Sequence, residues 1–138
     1  MTDSVFLDTN GWLALLHSGD SMHAQANRLW REMILSGANV VLTDWVIAET
    51  GNGSSRSPTR HRFVDAVRAT VRDPRVELIN VDDELLNRSL DLYAQHADKS
   101  WGLVDCASFL VMHDRGISIA FTSDQHFEQA GYTRLLTT

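Results

Sequence analysis

Four carboxylates in this sequence stand apart from the surface charges, and their placement is that of a possible cation site. Asp8 and Asp124 each follow a short apolar run that predicts a buried strand. Glu49 ends an otherwise apolar helix candidate, and Asp105 interrupts an apolar run that predicts a helix buried on most of its surface. A buried ionised carboxylate is costly unless it is paired or binds a cation, and no Lys or Arg lies within one turn of Asp105. A group outside this helix must therefore satisfy Asp105.

The chemistry of these acids depends on whether they converge. If the strands that precede Asp8 and Asp124 are neighbours, several carboxylates gather at one edge of the sheet. Each close pair would then repel by roughly 4 kcal/mol at an effective dielectric constant of about 20, so that the cluster must retain protons or bind a divalent cation. Oxygen ligands without a matching His or Cys set favour Mg²⁺ or Mn²⁺ over Zn²⁺. Hydrolysis of a phosphodiester by metal-activated water is the reaction that follows from such a site.

Structural interpretations of the same acids remain open at this point. Asp8 and Asp124 stand where a helix N-cap would stand, and Glu49 could be a solvated helix end. The carboxylate of Asp105 could instead accept a hydrogen bond from a buried indole, for which the candidates are Trp12, Trp45 and Trp101.

Other polar residues near these acids are left outside the predicted ligand set. Asp98 lies in a polar loop and could stand at the rim of the site, but a loop acid is usually solvated, and that interpretation is favoured. The six histidines form no recognisable ligand spacing. His23, near a helix start, and His126, beside Asp124, stand out among them without being assigned as ligands.

The elements that must position the acids alternate along the chain. Apolar runs predict strands at 5–7, 40–42, 76–81 and 117–121, with a last extended piece at 132–136. Helix patterns predict helices at 11–17, 45–50, 59–72, 84–95 and 103–112, and a further amphipathic helix that starts near Ser21. This alternation predicts an α/β fold with a central, mostly parallel sheet of about four to five strands, flanked by helices. The length fits a single domain, 1–138.

The region after Glu49 combines a glycine-rich stretch with an arginine-rich helix. The sequence GNGSSRSP at 51–58 predicts a flexible connection. The helix pattern that follows predicts arginines on the outer side and an inner side made of Phe63, Val64, Val67 and Val71.

Composition limits the classes of function. The formal net charge of −6 argues against broad electrostatic binding of nucleic acid, which draws its affinity from Lys and Arg, so a nucleic-acid role needs cations or a local basic patch. The single cysteine, Cys106, lies in an apolar run and is interpreted as a buried thiol. No basic leader and no uncharged run of about 18 residues is present, so we expect a soluble protein of the cytoplasm.

Four segments of the chain resemble the acid motifs of the PIN-domain family, in particular the VapC-type toxins of bacterial and archaeal toxin–antitoxin pairs. They are FLDTN at 6–10, TDWVIAE at 43–49, LVDCASF at 103–109 and FTSDQHFEQAG at 121–131. The order of these segments, the acid in each and the gaps between them match the family pattern, and together they cover nearly the whole chain.

This resemblance implies a PIN fold and an endoribonuclease that depends on Mg²⁺ or Mn²⁺. Attack by a metal-bound water on an RNA phosphate would leave a 5′-phosphate and a 3′-hydroxyl. The residues implied to hold the metal and to be catalytic are Asp8, Glu49, Asp105 and Asp124. The groups implied to orient these carboxylates are Thr9, Asn10, Thr122 and Ser123.

The resemblance also implies partners. A VapC-like toxin is expected to pair with a small antitoxin protein in a type II system and to form homodimers. Arg56, Arg60 and Arg62 could place the RNA backbone beside the metal, although a solvated helix face explains them equally well.

Three rival functions stay open on the sequence. Aspartate-nucleophile phosphohydrolases also begin with a strand followed by Asp, but they expect a second Asp where Asn10 stands. A PIN nuclease of RNA maturation is the second rival, and a catalytically silent PIN-like binding module is the third. Complete acids argue against the silent module.

Overall fold

Five parallel strands and seven helices make up the computed structural model, which describes residues 3–56 and 58–137. In chain order they are β1 (Ser4–Leu7), α1 (Thr9–Leu16), α2 (His23–Leu35), β2 (Asn39–Thr43), α3 (Asp44–Gly53), α4 (Thr59–Arg72), β3 (Val76–Ile79), α5 (Asp83–Gln95), α6 (Leu103–Arg115), β4 (Ile119–Phe121), α7 (Gln125–Gln129) and β5 (Thr133–Arg134). Within these residues, no helix is both long and apolar enough to span a bilayer.

The strands form one sheet in the order β3-β2-β1-β4-β5, and each neighbouring pair is parallel. This confirms the α/β class and the predicted parallel sheet of four to five strands. The chain runs from β1 outward to β2 and β3, then crosses back through α5 and α6 to β4 on the other side of β1. The order of the strands therefore reverses between β1 and β4, which is where open α/β sheets bind their ligands.

The register of β1 and β4 brings their carboxyl ends together. Leu7 lies opposite Phe121, and the Asp8 backbone N–H is 3.4 Å from the Phe121 carbonyl oxygen. Asp8 and the segment that begins at Thr122 thus leave the sheet side by side. The condition on which the predicted carboxylate cluster depended is met.

The core that supports this edge is apolar on both faces of the sheet. Phe6, Leu7 and Phe121 are fully buried, and Phe127 of α7 packs on Phe6 and on Phe109, with ring centroids 6.4 and 5.0 Å apart. Burial of this kind contributes roughly 2–3 kcal/mol for each large side chain. Cys106 is fully buried, as its apolar surroundings predicted.

Close packing of α1 on β4 depends on a glycine. A Cβ atom at Gly11 would lie 2.0 Å from the Phe121 carbonyl oxygen, a distance that no side chain can occupy. The first turn of α1, which begins directly after Asp8, therefore rests on the β4 backbone itself.

The glycine-rich stretch after Glu49 is helical in its first three residues, contrary to its composition, whereas residues 54–56 and 58 form the predicted connection between two helices. Helix α3 continues to Gly53, while Ser57 lies outside the described residues. Added Cβ atoms at Gly51 and Gly53 would lie 3.0 Å from the side chains of Phe63 and Leu13, respectively. These glycines allow α3 to pack closely on α4 and α1, and that need explains the two glycines at these positions.

The bounds predicted for α4, 59–72, are confirmed, but its inner face is narrower than predicted. Phe63 and Val67 are partly buried, whereas Val64 and Val71 are 39% and 42% exposed. Helix α4 packs beside β3, which is the edge strand of the sheet. The surface that faces α4 is therefore too narrow to cover the whole apolar side of the helix.

Candidate active site

Asp8 is buried at the end of β1 and is held by a side chain from the neighbouring strand end. It is 3% exposed, and the Thr122 hydroxyl donates a 2.8 Å hydrogen bond to Asp8 Oδ2. Asp8 occupies the N-cap position of α1, yet its side chain makes no capping hydrogen bond. The interpretation of Asp8 as a simple helix cap is therefore not supported.

Thr122 also connects Asp8 to Asp124. The Thr122 oxygen accepts a 3.0 Å hydrogen bond from the Asp124 backbone N–H while its hydroxyl donates to Asp8. Asp124 in turn accepts a 2.9 Å bond from the His126 backbone N–H, so that it does cap α7. A capping role for Asp124 and a place in the acidic site are thus compatible.

Asp105 is the third residue of α6, a helix whose following turns are largely buried, as its sequence surroundings predicted. Its Oδ2 atom accepts a 3.0 Å hydrogen bond from the Gly102 backbone N–H, which ties the carboxylate to the helix start. The predicted indole donor is absent at Trp101, because Trp101 Nε1 donates to Gln129 Oε1 at 3.0 Å.

His126 completes the contacts of Asp105 and is the residue that the predicted ligand set omitted. Its Nδ1 atom lies 2.9 Å from Asp105 Oδ2 and 3.4 Å from Asp124 Oδ1, and its Nε2 atom lies 3.0 Å from the Ser100 hydroxyl. Ligand atoms of Asp105, Asp124 and His126 all lie within 4.8 Å of one another, the one such trio in the described part of the chain. The available signal was its position two residues after Asp124, at a helix start.

The electrostatics of this cluster oppose full ionisation. Burial raises the pKa of Asp8 to about 7, the hydrogen bond from Thr122 opposes this rise, and the negative charges of Asp105 and Asp124 add to it. Burial likewise raises the pKa of Asp105, while hydrogen bonds from Gly102 and His126 lower it. The negative charges of Asp105 and Asp124 thus help to raise the pKa of Asp8, and the charge of Asp124 also raises the pKa of Asp105.

Glu49 differs from the other three acids in its surroundings. It is exposed on α3, and it does not belong to the trio of Asp105, Asp124 and His126. The structure therefore brings three of the four predicted acids into mutual interaction and leaves Glu49 facing solvent.

The remaining residues predicted to orient the carboxylates act in different ways. Asn10 Oδ1 accepts hydrogen bonds from the Ser123 N–H and hydroxyl, at 2.9 and 2.7 Å, and Arg134 Nη1 donates to the Ser123 carbonyl at 2.7 Å. These contacts fix the loop after β4 without touching a carboxylate. The Thr9 hydroxyl is buried and has no hydrogen-bond partner among the residues described.

The predicted basic patch lies on the surface beyond α3. Arg56, Arg60 and Arg62 are all exposed. Arg60 Nη1 donates to the Ser55 carbonyl at 3.1 Å, and Arg62 Nη1 donates to the Leu16 carbonyl at 3.3 Å, at the end of α1. In these contacts both guanidinium groups donate to neutral carbonyl oxygens, so no carboxylate neutralises their positive charge there.

Comparison with known proteins identifies the family. A family model described as the PIN domain matches residues 5–131. The chain belongs to the PIN-domain family. This confirms the resemblance that the four acid motifs indicated, and it identifies the parallel sheet as that of a PIN domain.

Among relatives of this PIN domain is the 23S rRNA-specific endonuclease VapC20 of Mycobacterium tuberculosis, found in two strains. The two sequences are 28% identical over 134 residues, which cover 95% of this chain and 97% of VapC20. The crystal structure of VapC20, described as a sarcin–ricin loop cleaving toxin, matches with a TM-score of 0.81 over 94% of this chain and 96% of that chain.

A more distant structural match shows the fold alone. VapBC2 from Rickettsia felis, crystallised with a DNA fragment from its promoter, aligns with a TM-score of 0.65 and 15% identity. The alignment covers 95% of this chain and 96% of that chain.

The acidic centre of this PIN domain fits a divalent cation on chemical grounds. Its carboxylates are partly desolvated and mutually repulsive, and a cation would offset both costs. Carboxylate oxygens dominate the donor set and suit a hard ion, and His126 adds one nitrogen donor beside them.

Proposed function

We propose that this chain is a divalent-cation-dependent endoribonuclease and the toxin component of a type II toxin–antitoxin pair. The observation that carries the proposal is the connection of buried Asp8 to Asp124 through Thr122, with Asp105 within electrostatic reach. The similarity to VapC20 over nearly the full length of both proteins supports the same reaction class.

In this proposal the metal ligands and catalytic groups are Asp8, Asp105 and Asp124, and Glu49, which is exposed on α3, is the fourth acid that the family motifs imply. A bound Mg²⁺ or Mn²⁺ supplies a Lewis acid that lowers the pKa of a coordinated water and neutralises charge on the phosphate. Thr122 fixes the carboxylate of Asp8, and Asn10 and Ser123 hold the backbone that carries Asp124. Mutation of residues that orient metal ligands in this way commonly lowers metal affinity or activity about 10–100-fold.

The substrate is a phosphodiester of RNA, cleaved to a 5′-phosphate and a 3′-hydroxyl. Arg56, Arg60 and Arg62 contact the RNA backbone and offset the acidic net charge of the protein where the substrate passes. Because VapC20 is named for cleavage of 23S rRNA at the sarcin–ricin loop, that hairpin is the first substrate to test here.

The expected partners follow from the toxin assignment. We propose a small antitoxin protein that covers the acidic centre, a homodimer as the toxin's own assembly, and the cytoplasm as the place of action. On this view the 138 residues act as one domain.

Cleavage of defined RNAs tests the proposal. Purified protein is incubated with a sarcin–ricin loop hairpin and with a panel of other structured RNAs, in Mg²⁺, in Mn²⁺ and in chelator. Cutting that requires a divalent cation, falls at least about 100-fold in Asp105→Asn and survives in Asp98→Asn is the expected result. Asp98 is the matched control, because it is an exposed acid in the loop just before α6. Full cleavage by Asp105→Asn, or none by folded, inhibitor-free wild type with either metal, would contradict the nuclease.

A further inference from the structure

We propose that a cavity beside the acidic centre holds an unpaired RNA nucleotide that flanks the cleaved phosphate, an inference that rests on the proposed ribonuclease function. The cavity has a volume of about 490 Å³ and lies between the end of α5 and the loop at 96–102. Pockets of roughly 300–1,000 Å³ are the usual size for small ligands. Its lining includes Tyr93, His96, Lys99, Ser100 and Gly102.

The cavity is joined to the acidic centre by two direct hydrogen bonds. Ser100, which lines the cavity, places its hydroxyl 3.0 Å from His126 Nε2. Gly102, which also lines it, donates its backbone N–H to Asp105 Oδ2 at 3.0 Å. A molecule in the cavity therefore contacts residues that are themselves hydrogen-bonded to His126 and Asp105 of the acidic centre.

The aromatic groups of the cavity suit a nucleobase. Tyr93, near the end of α5, is 52% exposed although it is a large aromatic side chain. The ring of His96 lies on the ring of Trp101, with centroids 4.8 Å apart and an interplanar angle of 35°. Proteins recognise single-stranded RNA by stacking unpaired bases on exposed aromatic rings, and each stacked base contributes about 1–3 kcal/mol.

The charge of the cavity suits the phosphate of the same nucleotide. Lys99 is the one lysine of the chain and lines the cavity of a protein whose formal net charge is −6. Its ammonium lies 3.8 Å from Asp98 Oδ2, and both side chains are well exposed. An exposed pair at this distance is weak, so Lys99 can exchange Asp98 for a phosphate at little cost.

Binding of short RNA strands to a catalytically inactive protein tests the proposal. The Asp8→Asn protein is titrated, with Mg²⁺ present, into a fluorescein-labelled heptaadenylate and into a seven-residue abasic ribose-phosphate strand, and anisotropy is recorded. The Asp8→Asn protein is the parent, and four further substitutions are each added to it. They are Tyr93→Ala, Tyr93→Phe, Lys99→Gln and Leu90→Ala. Leu90 is the matched control, because it is also exposed on α5 but does not line the cavity.

The expected result separates stacking from charge. Tyr93→Ala weakens binding of heptaadenylate roughly tenfold and leaves binding of the abasic strand unchanged, while Tyr93→Phe and Leu90→Ala bind both strands like the parent. Lys99→Gln weakens both strands and lowers the slope of log affinity against log salt by about 0.7.

Two different results would overturn the proposal in distinguishable ways. If the parent binds heptaadenylate and Tyr93→Ala binds it equally well, the cavity is not a nucleotide subsite and the ribonuclease assignment stands. If the parent binds neither strand, the cavity is likewise not a nucleotide subsite, and the ribonuclease assignment is decided separately by metal-dependent cleavage of the sarcin–ricin loop hairpin.

Discussion

Two halves of the candidate site are built on opposite principles. The inner half (Asp8, Asp105, Thr122, Asp124 and His126) consists of strand ends and helix starts connected by hydrogen bonds of 2.8 to 3.0 Å. The outer half (Glu49, Arg56, Arg60 and Arg62) consists of exposed side chains on α3, on α4 and on the segment between them. The inner half is preorganised and resists ionisation, whereas the outer half keeps its charges in solvent.

The difference indicates a division of labour. Carboxylates that are held in place and desolvated gain most from a cation, because the cation offsets a cost that already exists in the folded chain. Exposed arginines cost the fold little and can follow a flexible anionic backbone such as RNA. The inner half is therefore suited to bind the metal, and the arginines of the outer half to bind and orient the substrate.

The largest effect we expect to distinguish the two halves is the pH dependence of the metal-free fold. Between pH 4 and 7 the folded state keeps a proton on Asp8 that the unfolded state loses, so the unfolding free energy falls as pH rises through this window. The loss is on the order of 4 kcal/mol if the pKa moves from 3.8 to about 7. Urea unfolding at pH 4.5 and pH 8 in chelator measures it.

Asp8→Asn is the control for that pH dependence, because it keeps the shape of Asp8 and removes the titration. The variant should lack this loss and be the more stable protein at pH 8 without metal. Parallel pH profiles for the two proteins would show that Asp8 titrates like an exposed acid.

A smaller effect is expected from Gly11→Ala, which disturbs the contact of α1 with β4. The added Cβ would overlap the Phe121 carbonyl, so α1 must move, and we expect a loss of about 1–3 kcal/mol in unfolding free energy together with slower RNA cleavage. Gly19→Ala is the control, since nothing lies within 4 Å of a Cβ there. Equal stability of the two variants would mean that the close approach is not required.

Thr122→Val tests the hydrogen bond that joins the inner half. It removes the donor to Asp8 and the acceptor for the Asp124 N–H, and we expect cation affinity to fall about 10–100-fold. Thr122→Ser keeps the hydroxyl and should retain most of the affinity. Calorimetric titration with Mn²⁺ compares the two, and a serine variant as weak as the valine variant would point to packing instead of the hydrogen bond.

The smallest effect on the fold is expected in the outer half. The double variant Arg60→Glu and Arg62→Glu should weaken RNA binding at least several-fold, while its cation affinity and unfolding free energy change little, because both side chains are exposed. The double variant Arg28→Glu and Arg31→Glu, on exposed residues of α2, is the control because it changes the net charge by the same amount. RNA binding that falls equally in the control would remove the arginines from the proposed substrate path.

The sequence predicted the sheet and helices that carry the two halves well, for reasons that the structure makes plain. Strand and helix alternate with strong apolar patterns, so the parallel sheet and the bounds of α4 followed from periodicity. Asp8 and Asp124 lie close together because β1 and β4 are neighbours in the sheet. Local sequence patterns do not reveal strand order, so the sequence analysis could state this proximity only as a condition.

The errors arose where tertiary packing decides the outcome. The helix that carries Asp105 was predicted, but the two groups that contact its carboxylate, the Gly102 N–H and His126, were not. His126 reaches Asp105 across 21 residues of sequence, a contact that no spacing rule indicates. Gly51 was interpreted as flexible, whereas it allows α3 to approach Phe63.

The central claim, that the inner half binds the cation, is tested most directly by Mn²⁺ binding. Electron paramagnetic resonance counts free Mn²⁺ during titration of wild type, Asp8→Asn and Asp98→Asn, each verified as folded by circular dichroism. We predict binding by wild type and Asp98→Asn and at least a tenfold weaker affinity in Asp8→Asn, in line with the roughly 10–100-fold effects of groups near a metal. Equal binding by all three proteins would contradict the assignment of the cation to the carboxyl ends of β1 and β4.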